Sequence, residues 1–170
     1  MAEVATFNGI EFSELVRHQR AGWIAAAFVV VGNRERAEEI VQEALSRAAQ
    51  RWDEVGALDR PGAWVRKVVV NEAISVWRSM QRETAAMCRH VSLAEPPGHM
   101  DPSSDAELWA AVRRLPEDQC RAIALYYGAD ASMAEVAEEL GATVTATKTL
   151  LFRARGTLRQ LLSTLETTDD

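Results

Sequence analysis

The chain has 170 residues, 48% hydrophobic and 26% charged, with a formal net charge of −6 and a sequence pI near 5.2. That length suits one medium domain or two small ones, and the composition is that of a globular protein, not a disordered one. The most apolar run, Trp23 to Val31, is about half of a membrane span, and the N-terminus lacks the basic flank and apolar stretch of a signal peptide. A cytoplasmic protein without membrane insertion is expected.

Helical periodicity first appears from Phe12 to Val31, with Phe12, Leu15, Val16, Trp23, Ala27 and Val30 along one stripe. Gly32-Asn33 closes that helix and opens the next, because glycine tolerates the left-handed position and asparagine caps a first turn. The second helix, about Arg34 to Trp52, turns Ala37, Ile40, Val41, Ala44, Leu45 and Ala48 inward. Asp59-Arg60-Pro61 starts a third, which runs through Trp64, Val68, Val69 and Ile74 to about Met80. From Glu83 to Asp105 the periodicity breaks, and three of the five prolines fall there, as in a linker.

Ser104-Asp-Ala-Glu107 is a capping-box pattern for a helix to Leu115, and Pro116 starts another that reaches Tyr127. Gly128 to Ala131 reads as a turn. Ser132-Met-Ala-Glu135 is a second capping box, opening a short helix to Leu140. Gly141-Ala142-Thr143 is a tight turn, with Thr143 capping a last helix from about Val144 to Leu162. Two short helices at this separation are what a helix-turn-helix needs. The last residues, from Ser163, read as a polar tail.

Charge is unevenly spread. Residues 1–59 carry −4, residues 60–89 carry +4, residues 90–140 carry −7 and residues 141–170 carry +1. Positive charge therefore gathers in the third helix and in the last one, as expected of a protein that touches a polyanion at two places. Cys88 and Cys120 are the only cysteines. Cys88, His90 and His99 have no recognised zinc spacing, so no metal and no cofactor is expected. The chain also shows no nucleophile–base pair and no glycine-rich phosphate loop, which speaks against an enzyme.

Four stretches then become specific: AEEIVQEALSRAAQRWDEV (37–55), RPGAWVRKVVVNEAISVWR (60–78), LPEDQCRAIALYY (115–127) and SMAEVAEELGATVTATKTLLFRAR (132–155). In this order, with a linker between the second and third, the chain resembles the extracytoplasmic-function (ECF) group of the sigma-70 family of bacterial sigma factors over about residues 10 to 162. The resemblance implies an all-α fold of two small helical domains: a region 2 bundle over 10–82, a flexible linker over 83–105, and a region 4 helix-turn-helix bundle over 106–165. It implies an alternative sigma factor that binds core RNA polymerase and directs transcription from promoters with −10 and −35 elements. The other reading, a stand-alone helix-turn-helix regulator, is distinguished by binding an operator without polymerase.

By the same resemblance, Glu39, Gln42 and Glu43 meet the polymerase β′ coiled coil, and the β flap of core polymerase is a further partner. The loop from Val55 to Arg60 and the helix residues Lys67, Asn71, Ser75 and Arg78 meet the melted −10 element; Ser75 stands where relatives often carry Asp or Asn. Thr143, Thr145, Lys148, Thr149, Phe152, Arg153 and Arg155 meet the −35 duplex. Leu150 replaces a frequent Arg and either contacts a thymine methyl or packs. Trp64 is either a stacking platform or a core anchor. An anti-sigma protein is the expected regulator, and the acidic faces are expected to serve polymerase and anti-sigma docking.

Overall fold

The computed structural model describes residues 11–88 and 106–166, and among them every regular element is helical. Helix α1 spans Phe12–Val31 and ends where Gly32 adopts φ 67°, its N–H donating to the Phe28 carbonyl at 2.7 Å. Asn33 then caps α2, Arg34–Gln50, by accepting from the Arg36 N–H at 2.8 Å. The periodicity predicts one helix as far as Trp52, but the chain breaks at Arg51, where φ is −120°, and a single turn α3, Trp52–Val55, follows. The break lets Trp52 pack edge-on against Phe12, with ring centroids 5.0 Å apart, a contact that offsets the lost helical hydrogen bonds.

Helix α4, Pro61–Cys88, begins with proline at its first position and continues eight residues past Met80. The sequence pattern ends it early because Gln81 to Ala85 are all exposed and form no apolar stripe. Glu, Ala and Met nevertheless favour helix without any burial. Short helices α5, Ala106–Val112, and α6, Glu117–Ile123, follow, and α6 loosens into a π-helical turn at Ala124–Gly128. Helices α7, Met133–Leu140, and α8, Val144–Glu166, complete the chain. The expected capping box at Ser104 and the candidate ligands Cys88, His90 and His99 lie outside the residues whose side chains are described.

The N- and C-terminal halves share one core. Val30, Val41, Val65, Val69 and Ile74 from the first half belong to the same buried cluster as Leu125, Val136 and Leu151 from the second. Helix α1 packs against α2, α4 and the π turn. The approach is close enough that a Cβ on Gly128 would lie 2.6 Å from the Ala26 Cα, so only glycine fits there. A linker pattern alone leads one to expect separate bundles; small residues on α1 instead let the second half sit directly on the first. No helix among the described residues is long and apolar enough to cross a membrane.

Candidate nucleic-acid interface

The helix-turn-helix is built from local signals. The Ser132 hydroxyl accepts from the Glu135 N–H at 3.3 Å, and the Glu135 carboxylate accepts from the Ser132 N–H at 2.9 Å, closing the expected capping box. Gly141 ends α7 at φ 62°, a left-handed conformation that glycine adopts without a Cβ penalty. Thr143 then caps α8, its Oγ1 accepting from the Ala146 N–H at 3.1 Å.

Thr147, Leu151 and Ala154, spaced by helical turns, are buried, and the Thr147 hydroxyl donates to the Thr143 carbonyl at 3.0 Å. That anchoring turns the opposite face outward. Thr143, Thr145, Lys148, Thr149, Phe152, Arg153 and Arg155 are all exposed, Phe152 by 73%. Lys148, Arg153 and Arg155 form no salt bridge with any described residue, so their charge is available to phosphate. Leu150 is half-buried and packs against the core, which decides between its two sequence readings. Arg159, exposed one turn beyond Arg155, extends this face; its helical spacing from Arg155 was signal enough to find it.

A second face lies on α4. Lys67, Asn71, Ser75 and Arg78 are exposed along it at helical spacing. Two of these four already engage the C-terminal half. The Asn71 Oδ1 accepts from the Arg121 guanidinium. Arg78 donates through Nε and Nη2 to the two carboxylate oxygens of Glu117 at 2.6 and 2.5 Å. Further along, Arg66 donates to Glu139 at 2.6 Å and to Glu135 at 3.2 Å, while Arg60 pairs with Glu138 and lies 3.4 Å from Glu135. The +4 window of the sequence thus faces acids drawn from the −7 window, a pairing that segment counting could not place in space. Glu117, Glu135, Glu138 and Glu139 on α6 and α7 are each paired with an arginine of α4 or of the turn before it.

Electrostatics follow this geometry. Hydrogen bonds from the Ser132 hydroxyl and backbone N–H, reinforced by Arg66, hold the Glu135 carboxyl down at about 2. Arg78 holds Glu117 below the usual carboxylate range. Glu139 goes the other way, because burial outweighs its bond to Arg66. Beside these groups Leu58, Asp59, Arg60, Trp64 and Lys67 line a cleft of about 360 Å³. Trp64 is half-buried and packed against the core, with its remaining edge in that cleft.

On α2, Ile40, Val41 and Ala44 are buried, while Glu39, Gln42 and Glu43 stand exposed on another face. Glu39 pairs with Arg36 at 2.8 Å and Glu43 with Arg47 at 2.7 Å. Cys120 is fully buried and its thiol is pushed up to about 12 by burial. Among the described residues no three His, Cys, Asp or Glu side chains gather to hold a metal.

Two capped helices around a tight turn, with an outward basic face on the second, define a helix-turn-helix nucleic-acid-binding protein. Comparison with known proteins narrows the class. The sequence pattern of Sigma-70 region 2 matches residues 15–83, and that of Sigma-70, region 4 matches residues 105–158. The ECF RNA polymerase sigma factor EcfG of Rhodopseudomonas palustris is 31% identical over 140 residues, covering 81% of this chain and 77% of the relative. The RNA polymerase sigma-E factor of Streptomyces coelicolor is 27% identical over 158 residues, covering 90% and 86%. Among solved structures, the sigma factor RpoE of Bartonella quintana, crystallised with the anti-sigma factor NepR, superposes with a TM-score of 0.65 at 26% identity, covering 89% of this chain and 96% of that one. The chain belongs to the sigma-70 family of RNA polymerase sigma factors, in its ECF group. It is an alternative sigma factor for promoter-directed transcription initiation.

Proposed function

We propose a division of labour along the chain. Residues 10–82 dock on core polymerase through Glu39, Gln42 and Glu43 and hold the melted −10 strand with Lys67, Asn71, Ser75 and Arg78. Residues 106–165 read the −35 duplex with the outward face of α8, and residues 83–105 connect the two. The observation that carries this reading is that α8 face. Lys148, Thr149, Phe152 and Arg153 project from the start of a capped helix whose opposite side is locked into the core. Such a helix enters a major groove N-terminus first, with its cations on phosphates and its polar side chains on base edges.

The protein works in the cytoplasm beside polymerase and is a specificity subunit, not an enzyme. The RpoE structure of Bartonella quintana contains an anti-sigma factor, NepR, which supports an anti-sigma partner here too. The test is run-off transcription with core polymerase on genomic fragments, followed by variants. Asn71→Ala is expected to impair promoter opening. Lys148→Ala and Arg153→Ala are each expected to weaken −35 binding across sequences and to reduce its salt dependence by about one phosphate contact. Wild-type promoter activity in all three variants would overturn the residue assignments. Tight operator binding without polymerase, and no co-elution with core enzyme, would favour the stand-alone regulator.

A further inference from the structure

We propose that the cleft where the α1–α2 turn meets α4 and α5 is a binding site for an apolar anion, a molecule with one carboxylate head and an unbranched hydrocarbon tail. The site lies apart from both DNA surfaces. Helical spacing puts Val76, Trp77 and Met80 on the side of α4 away from Lys67, Asn71 and Arg78. Among the described residues, none of α8 lines the cleft.

The walls are hydrocarbon. The cleft holds about 700 Å³, within the range of small-molecule sites, which favour the seams between packed units. Val31 is buried at the end of α1, while Val76, Trp77, Met80 and Ala110 are half-buried and turn their remaining surface into the space. Polar groups beside them are already committed. The Trp77 indole N–H and the Gln81 side-chain amide both donate to the Arg113 carbonyl, at 3.1 and 3.0 Å. The Ser79 hydroxyl donates to Glu83 at 3.3 Å. An occupant of the floor therefore meets mainly carbon.

Charge sits at the mouth. Arg36, Arg113 and Arg114 line it against one carboxylate, Glu83. Arg36 is shared with Glu39 at 2.8 Å, but Arg114 is exposed and forms no salt bridge with any described residue. The turn itself places the Arg113 guanidinium: a Cβ on Gly32 would lie 1.8 Å from its Nη1, so glycine makes room for it. Burial lowers the pKa of that guanidinium, and an anion beside it would offset the water that burial removes. A carboxylate can accept two parallel N–H bonds from one guanidinium. A polyanion would leave the apolar floor wet, and a neutral hydrocarbon would leave the cationic mouth unused. A head of one negative charge on an apolar tail uses both.

Calorimetric titration of the full chain with dodecanoate, kept below its micellar concentration, tests the site. One molecule per chain is expected. Affinity should rise roughly tenfold for every two methylenes from octanoate through decanoate to dodecanoate, as burial of the tail requires. Dodecyltrimethylammonium, the same tail with the opposite charge, should bind about tenfold more weakly or less. Ala110→Phe fills the cleft, and Arg114→Glu reverses charge at its mouth. Each should weaken dodecanoate binding by about tenfold or more, whereas Arg20→Glu, the same charge change on the exposed face of α1, should leave it unaltered. Helical circular dichroism shows whether each variant folds; should Ala110→Phe fail, the exposed Arg114→Glu still decides.

Equal binding of the two head groups, an affinity independent of tail length, or full binding by either folded variant would overturn the proposal. So would binding to phosphatidylglycerol vesicles without binding of monomeric dodecanoate, since a membrane surface needs no cavity. Run-off transcription is a separate measurement. A chain that transcribes with core polymerase but takes up no dodecanoate refutes this inference alone.

Discussion

The ion pair between Arg66 and Glu139 joins α4 to α7 where little water reaches, the two side chains being 10% and 11% exposed with Nε and Oε1 2.6 Å apart. Arg66→Met keeps the apolar stem but leaves Glu139 without its guanidinium and removes a donor from Glu135. Breaking a buried pair on one side costs about 3–5 kcal/mol, because the remaining charge stays desolvated. Lys67 adds a favourable field at Glu139, so the lower end, about 3 kcal/mol, applies. With a urea m-value of about 2 kcal/mol/M, the unfolding midpoint should fall by about 1.5 M. Arg66→Met with Glu139→Leu should recover most of that loss, since an apolar pair fills the same space without a desolvation penalty.

The pH dependence has a definite sign. Burial already raises the folded Glu139 carboxyl above its unfolded value, and losing Arg66 raises it further. Such a group costs stability above its folded pKa, and the cost fades as pH falls toward the unfolded value. The deficit of Arg66→Met should therefore be complete at neutral pH and shrink on acidification toward the ordinary carboxylate range. Urea titrations at several pH values measure it. A loss below about 0.5 kcal/mol, as for an exposed surface pair, or a deficit independent of pH, would refute the reasoning.

Other substitutions probe single features. Gly32→Ala should cost more than about 1 kcal/mol, since the site has φ 67° and a Cβ there would meet the Arg113 guanidinium; thermal unfolding measures it. Ser132→Ala should cost about 1 kcal/mol and let the Glu135 carboxyl rise from about 2 toward ordinary values, visible in an NMR titration. Stability that Glu135 contributes above its unfolded pKa, and loses as pH falls through about 2, should shrink accordingly. In a Cys88→Ser background, Cys120 should resist a thiol reagent at pH 8 and react only on unfolding, because its thiol is buried and titrates near 12. Phe152→Ala should leave stability within about 0.5 kcal/mol and weaken −35 duplex binding in a mobility-shift assay.

Local chemistry determined most of what could be read beforehand. Asn33, Ser132 and Thr143 cap helices through neighbours within three residues, and Gly32 and Gly141 end them with their own left-handed dihedrals. The alternation of buried Thr147, Leu151 and Ala154 with an exposed basic face follows from helical period alone. Those features mark a helix-turn-helix without any tertiary contact. The break at Arg51 was not legible, because it depends on Trp52 meeting Phe12 across the bundle. Gln81 to Ala85 carry α4 onward fully exposed, with no buried stripe that a periodicity could show.

Only the tertiary structure decided how the halves meet. Glu117, Glu135, Glu138 and Glu139 look like an ordinary acidic stretch in the sequence, and Arg60, Arg66 and Arg78 like an open basic face. Their sequence separations of 39 to 78 residues lie far beyond anything a local pattern encodes. The acidic chain with two basic windows was therefore readable as a nucleic-acid binder, while the masking of one window by the chain's own carboxylates was not. Capping and periodicity act over a single turn of backbone; charge pairing between distant segments exists only once the core has brought them together.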